Sequence, residues 1–178
     1  MIREPRVLNG PVVLAEYDEE WPRRFEREAA KIHRALGDEA LQVEHVGSTS
    51  VPGLAAKPVV DIVLVVGDSS DEEAYVPAVE AQGYVLHVRE PDWEEHRLLK
   101  PPGGDVNVHV FSPGSPEVTR MLAFRDHLRR DAADGELYER TKRDLARRTW
   151  KYTQNYADAK THVVEEILER ALSAGPRS

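Results

Sequence analysis

The sequence predicts an α+β domain, with a mixed β-sheet, flanking helices and a C-terminal helical cover. Three observations carry that expectation. The periodicities run helix, strand, strand, helix, three strands, then three helices, a pattern of segregated rather than strictly alternating elements. The run Val59-Val60-Asp61-Ile62-Val63-Leu64-Val65-Val66 is β-branched and almost wholly apolar, as a strand buried on both faces requires. From Ser115 onward the apolar residues recur at helical spacing.

In chain order, residues 1–16 contain Val12-Val13-Leu14, an edge strand or an extended arm. Residues 17–37 read as the first helix. Asp18 is the candidate N-cap, Pro22 sits in the first turn where a missing N–H is tolerated, and Gly37 ends the helix. Phe25, Ala29, Ile32 and Leu36 form its buried stripe. Trp21 is either a staple to the core or a stacking platform for a base, and packing is the ordinary outcome. Strands at 42–46 and 59–66 precede a turn at Gly67-Asp68-Ser69-Ser70-Asp71, and a short helix over 72–82 closes at Gly83. Strand candidates at 84–89 and 95–100 are separated by Pro91-Asp92, and Pro101-Pro102-Gly103-Gly104 is a connection. Residues 105–111 alternate cleanly. Val106, Val108 and Val110 share one face, and Asp105, Asn107 and His109 the other. Ser115-Pro116-Glu117 opens a helix whose apolar face is Met121, Leu122, Phe124 and Leu128. A break near Asp134-Gly135 leads to a helix over 137–152, and the last helix, about 157–172, carries Val163, Val164, Ile167, Leu168 and Ala171. With no repeat or linker, residues 1–178 are expected to form a single domain with its core at about 12–172.

With 24 Lys and Arg against 32 Asp and Glu, the formal net charge is −8. That balance argues against general nucleic-acid binding, which needs a basic surface. Arg129, Arg130, Arg140, Lys142, Arg143, Arg147 and Arg148 form either a local basic patch or, more ordinarily, a solvated helix face. The absence of cysteine excludes disulfides and thiolate metal sites. No signal-peptide segment or membrane-length apolar run is present, so a cytoplasmic location without membrane contact is expected.

Functional residues concentrate in 42–66. An ionised carboxylate inside so apolar a strand is expensive without a partner, so Asp61 needs a reason to be there. It is either a ligand or acid–base group, or half of an ion pair with Lys57 or Arg97. Gly47 permits close backbone approach, and the hydroxyls of Ser48, Thr49 and Ser50 suit either a phosphate or a cap on the following segment. The P-loop is excluded because five residues rather than four separate Gly47 from Gly53, and Lys57 stands apart. A Gly-x-Ser-x-Gly elbow is also absent. Lys57 is an anion contact or a snorkelling surface lysine. Arg97 is the natural anion-binding partner, or a surface strand residue. His45 is useful if it faces the phosphate, and otherwise a half-buried strand residue.

A Gly-Ser turn after one strand, followed by an acid on the next, resembles the nucleotidyltransferase superfamily, where the turn holds a triphosphate and the acid a divalent metal. The wording GSTSVPGLAAKPVVDI at 47–62 closely resembles the signature of the GrpB family, also called UPF0157. The resemblance implies a nucleotidyltransferase-like fold that binds a nucleotide or another phosphorylated small molecule, with Mg²⁺ or another divalent cation at Asp61. One departure stands out: where transferases carry Asp-x-Asp or Asp-x-Glu, this strand has Val63 in the second position. Relatives carry His-x-His-x-Phe where this chain has Asn107 and His109. His109 is therefore a candidate metal ligand or proton shuttle beside Asp61, or a satisfied core histidine. Glu44, Asp105, Asp126, Lys142 and Lys160 are further candidates to line the cleft from the helical cover, or else helix-surface pairs. Because GrpB-like domains occur fused to dephospho-CoA kinase, the resemblance also admits a noncatalytic companion of that enzyme.

Overall fold

A computed structural model describes residues 13–146 and 153–173, with the side chains of 153–159 left aside. Val12, Arg147, Arg148 and the 147–152 stretch of the expected helix lie outside the described residues. Five strands, Gln42–Val46 (β1), Val60–Val65 (β2), Val85–Glu90 (β3), His96–Lys100 (β4) and Val106–Phe111 (β5), form one sheet in the order β1-β2-β5-β4-β3. β2 and β5 run parallel, and the other neighbours are antiparallel. The helices are Glu20–Leu36 (α1), Val76–Glu80 (α2), Pro116–Arg130 (α3), Ala132–Ala146 (α4) and Thr153–Ser173 (α5). This is the expected α+β mixed sheet with a C-terminal helical layer.

Strand alternation divides the core. Ile62, Leu64, Val108, Val110 and Leu99 pack beneath Trp21, Ile32 and Leu36 of α1 and Val76 and Val79 of α2. On the opposite face Val46, Val63, Val65 and Phe111 pack against Val118, Met121 and Leu122 of α3. A third cluster joins Val51 and Leu54, in the connection leading to β2, to Leu128, Tyr138 and Ile167 of the three C-terminal helices. Polar residues on the α3 face thus lie under the helical layer, and that arrangement creates the site.

Asp18 caps α1 as expected, its carboxylate accepting the Glu20 N–H at 2.9 Å. Trp21 is buried in the core with its ring edge-on to Tyr17, which excludes it as a base platform. Among the described residues ahead of α1, Ala15 makes an isolated antiparallel bridge to Ala56 outside the five-stranded sheet. Two boundaries differ from expectation. The 72–82 helix is a 3-10 turn at Glu72–Ala74 followed by α2, because Pro77 lacks the N–H that a continuous helix would donate. The break expected at Asp134-Gly135 falls at Asp131, whose extended backbone ends α3 and whose carboxylate accepts the Asp134 N–H at 3.0 Å to open α4. A side-chain cap outweighs the single glycine, which sits inside α4.

Two charged groups brace the helices. Asp134 receives Arg170 of α5 on both carboxylate oxygens, at 2.5 and 2.7 Å, and His127 of α3 at 2.6 Å. On the other side of the sheet, buried Glu28 of α1 accepts from Tyr84, from Arg24 at 3.1 Å and from Lys31 at 3.1 Å. Burial alone would raise the Glu28 pKa, but the bonds from Tyr84 and Lys31 outweigh it and hold the carboxyl below its ordinary value. Among the described residues no helix is long and apolar enough to cross a membrane. Glu28→Ala, which strands the Tyr84 hydroxyl, is expected to lower unfolding stability by about 3 kcal/mol in chemical denaturation.

Candidate functional site

The turn after β1 and the carboxylate on β2 are built against each other. Gly47 has φ 75° and ψ −177°, and a Cβ placed on it would lie 2.7 Å from Asp61 Oδ2. A side chain there must displace the acid, so glycine is required both for backbone conformation and for room. Of the three hydroxyls that follow, Ser48 alone borders the cleft described below. Thr49 is buried, bonding His45 Nε2 at 2.9 Å and the Val59 carbonyl at 3.2 Å. Ser50 Oγ closes the turn on the Gly47 carbonyl at 2.5 Å, and Arg129 of α3 clasps the Ser50 carbonyl at 3.0 and 2.8 Å. Thr49 and Ser50 therefore shape the turn from within, bonding carbonyls and His45 rather than capping the segment that follows.

Asp61 has neither of the ion-pair partners expected of it. Its Oδ1 accepts from Asn107 Nδ2 at 3.0 Å and His109 Nε2 at 3.1 Å, both on the parallel neighbour β5. A carboxylate accepts only, so His109 carries a hydrogen on Nε2, and its Nδ1 shares a hydrogen bond with His96 Nε2, 3.1 Å away, in which either ring can donate. His96 Nδ1 lies 2.9 Å from Glu90 Oε1, so a polar chain crosses β2, β5, β4 and β3. His96 and Glu90 escape a reading of the sequence because only the register of β4 reveals that His96 shares the Asp61 face.

That register also relocates two expected site residues. Arg97 pairs with Val110 and points to the α1–α2 face, where it bonds Glu72 at 2.7 Å and the Glu95 carbonyl at 3.0 Å. It is not brought to Asp61. His45 likewise sits opposite Ile62, buried and stacked on Phe25 with ring centroids 5.0 Å apart. Burial, reinforced by Arg129, lowers its pKa to about 4. Glu44 and Asp126 are bound to Arg125 at 2.7 and 2.9 Å, and Asp105 to Arg24 at 3.1 Å. Lys142 and Lys160, in contrast, reach the Asp61 cleft from α4 and α5.

The cleft has two lobes that share Ser48, Asp61 and Lys160. One, of about 220 Å³, is polar and adds Lys57, Asn107 and Lys142. The other, of about 480 Å³, adds Met121, Phe124, Tyr138, Val164 and Leu168, with Arg120 and Glu165 paired at 3.0 Å among its polar lining. Ser48 and Tyr138 are joined by a 3.3 Å hydrogen bond.

A two-cation transfer centre does not fit these residues. The position of the second acid is Val63, wholly buried beneath α3. Among the described residues Asp61 is the carboxylate bonded to His109, whose two ring nitrogens are already engaged. The Asn107 Oδ1 atom, buried without a partner, adds one neutral oxygen, short of the oxygen-rich shell Mg²⁺ takes. Among the described residues the compact three-ligand group is instead His127, Asp131 and Asp134, and there Arg170 already provides the positive charge.

Comparison with known proteins agrees with the fold. The GrpB protein family model matches residues 11–170. The chain belongs to the GrpB family. The UPF0157 protein BH1888 of Halalkalibacterium halodurans is 57% identical over 170 residues, covering 96% of this chain and 87% of that one. The crystal structure of the conserved protein GrpB from Enterococcus faecalis superposes with a TM-score of 0.75 at 32% identity, over 89% of this chain and 98% of that one. A dephospho-CoA kinase of Mycolicibacterium paratuberculosis is 30% identical over 192 residues, covering 93% of this chain but 47% of the kinase.

Gly47→Ala is expected to cost about 2–3 kcal/mol in denaturant unfolding through backbone strain and displacement of Asp61. Two groups also set a pH dependence. With His45 lowered from 6.5 to about 4 and Lys142 from 10.5 to about 7, the unfolded chain binds more protons than the folded one across both intervals. Stability therefore rises with pH from about 4 to 6.5 and again from about 7 to 10.5. Urea denaturation at a series of pH values should find the first rise reduced in His45→Gln.

Proposed function

We propose that this GrpB-family chain binds a phosphorylated small molecule of the nucleotide class, with its phosphate in the polar lobe and its planar or apolar part in the larger lobe. The observation that carries this reading is the sharing of Ser48, Asp61 and Lys160 by a lysine-lined lobe and an aromatic one. An anion meets Lys57, Lys142, Lys160 and the Ser48 hydroxyl. A ring meets Phe124, Tyr138 and Met121. Asp61, fixed by Asn107 and His109, presents a carboxylate where the two parts of the ligand join, suited to accept from a sugar hydroxyl or to serve as a general base. Metal-dependent nucleotidyl transfer is the finer expectation of the motif resemblance, and the single acid on β2, with Val63 in the second position, favours binding over that chemistry.

A second reading is favoured by the kinase match. A domain that accounts for about half of a dephospho-CoA kinase relative is suited to act as a noncatalytic companion of that activity. If so, this chain and a dephospho-CoA kinase co-elute at micromolar concentration in size-exclusion chromatography. Separate elution counts against the companion role.

Thermal-shift measurements with nucleotides and CoA precursors, each with EDTA or Mg²⁺, test the binding reading on wild type and Asp61→Ala. A ligand at about 100 times its dissociation constant stabilises the fold by about 2.7 kcal/mol. Such a shift, lost in an Asp61→Ala protein that still folds, is the expected result. No shift with any member of the panel, or an undiminished shift in Asp61→Ala, would overturn it. A shift that needs Mg²⁺ would restore the transferase chemistry.

A further inference from the structure

Lys142 is a lysine buried in the helical layer. It lies on α4 at the wall of the polar lobe with 2% of its surface exposed. Its Nζ donates to the Ala55 carbonyl at 2.8 Å and stands 4.6 Å above the centroid of the Tyr138 ring. Among the described residues no carboxylate lies within ion-pair reach of it. Glu139, one turn earlier on α4, is committed to the Ala55 N–H at 2.7 Å. The Glu139–Lys142 clamp on the Ala55 peptide explains a hydrogen bond but not a charge, because the carbonyl is neutral and accepts equally from an uncharged amine. The groups that face Lys142 are Lys160 from α5, Glu139, Arg143 and Tyr138 from α4, and Lys57 and Asp61 across the lobe. Burial, with Lys160 pushing the same way, lowers the Lys142 pKa to about 7.

We propose that Lys142 is the group that matches the charge of a polyphosphate in this lobe, its ε-amine taking up a proton from solvent as the polyphosphate binds. Without ligand, a buried ammonium beside other lysines is costly, and the neutral amine satisfies Ala55 at no charge cost. A multiply charged anion reverses that balance, because it supplies the counter-ion that the protein withholds. The inference rests on the phosphate-binding reading of the cleft and narrows the ligand to one bearing several negative charges. Affinity for it then falls as pH rises above neutrality, the range in which each binding event must capture a proton.

The test is NMR titration of the full chain labelled with ¹³C-lysine and uniformly with ¹⁵N, across neutral and alkaline pH, with inorganic triphosphate or with sodium chloride at matched ionic strength. The Lys142 signal is identified by its absence in Lys142→Met, or in Lys142→Arg if the methionine variant does not fold. Triphosphate should raise the Lys142 midpoint by about two pH units, a hundredfold gain in proton affinity, where sodium chloride does not. Should triphosphate perturb the Ser48 and Lys160 amides while the Lys142 midpoint stays in place, the inference is overturned and the cleft reading stands. If triphosphate perturbs no resonance of the cleft, both fail.

Discussion

The site depends on one close approach, the backbone of Gly47 against the carboxylate of Asp61. β1 and β2 are antiparallel neighbours, so the turn leaving β1 passes directly beside the start of β2. Close contact there leaves no volume for a side chain on the turn, and the positive φ of Gly47 steers the chain into the 3-10 turn at Ser48–Ser50. Thr49, Ser50 and Arg129 then lock that turn from its buried side. The outcome is a rigid lip presenting one hydroxyl, with an acid held at fixed distance beside it.

Asp61 tolerates its apolar strand because it opens on the cleft and takes two hydrogen bonds from its own sheet. The parallel pairing of β2 with β5 sets Asn107 and His109 alongside it, and both donate to the same oxygen. The carboxylate is thus met by donors of its own sheet, and among the described residues the buried Lys142 of the helical layer has no carboxylate within ion-pair reach. Polar floor and basic roof come from different parts of the chain, and the division between them gives the cleft its two chemistries.

The order and type of elements were legible from periodicity because the buried faces are strongly patterned. The 105–111 alternation and the β-branched 59–66 run became β5 and β2 with little change. Errors arose where a side chain overrode a local rule, as Asp131 did by capping α4 ahead of Gly135. At the site, Asp61 is legible from the cost of its burial, Gly47 and Ser48 from the turn, and His109 from the family resemblance alone; the structure sets the four side by side. Arg97 and His45 were placed wrongly for one physical reason: alternation says which residues share a face of their own strand, but not which face of the sheet that becomes. Lys142 and Lys160 were visible only as second-rank candidates, since helical spacing carries no information about what lies across a cleft.

The parallel β2–β5 pair has a kinetic meaning as well. The residues it joins at Asp61 and Asn107 are 46 positions apart, with β3 and β4 in the intervening chain. Closing so long a loop costs entropy before any central contact repays it. On a ribosome, the N-terminal portion through β2 emerges with an apolar strand still missing its inner partner, so its aggregation risk persists until Phe111 has been synthesised. The cleft, roofed by helices that follow β5 in the chain, cannot form until those still later segments have been synthesised.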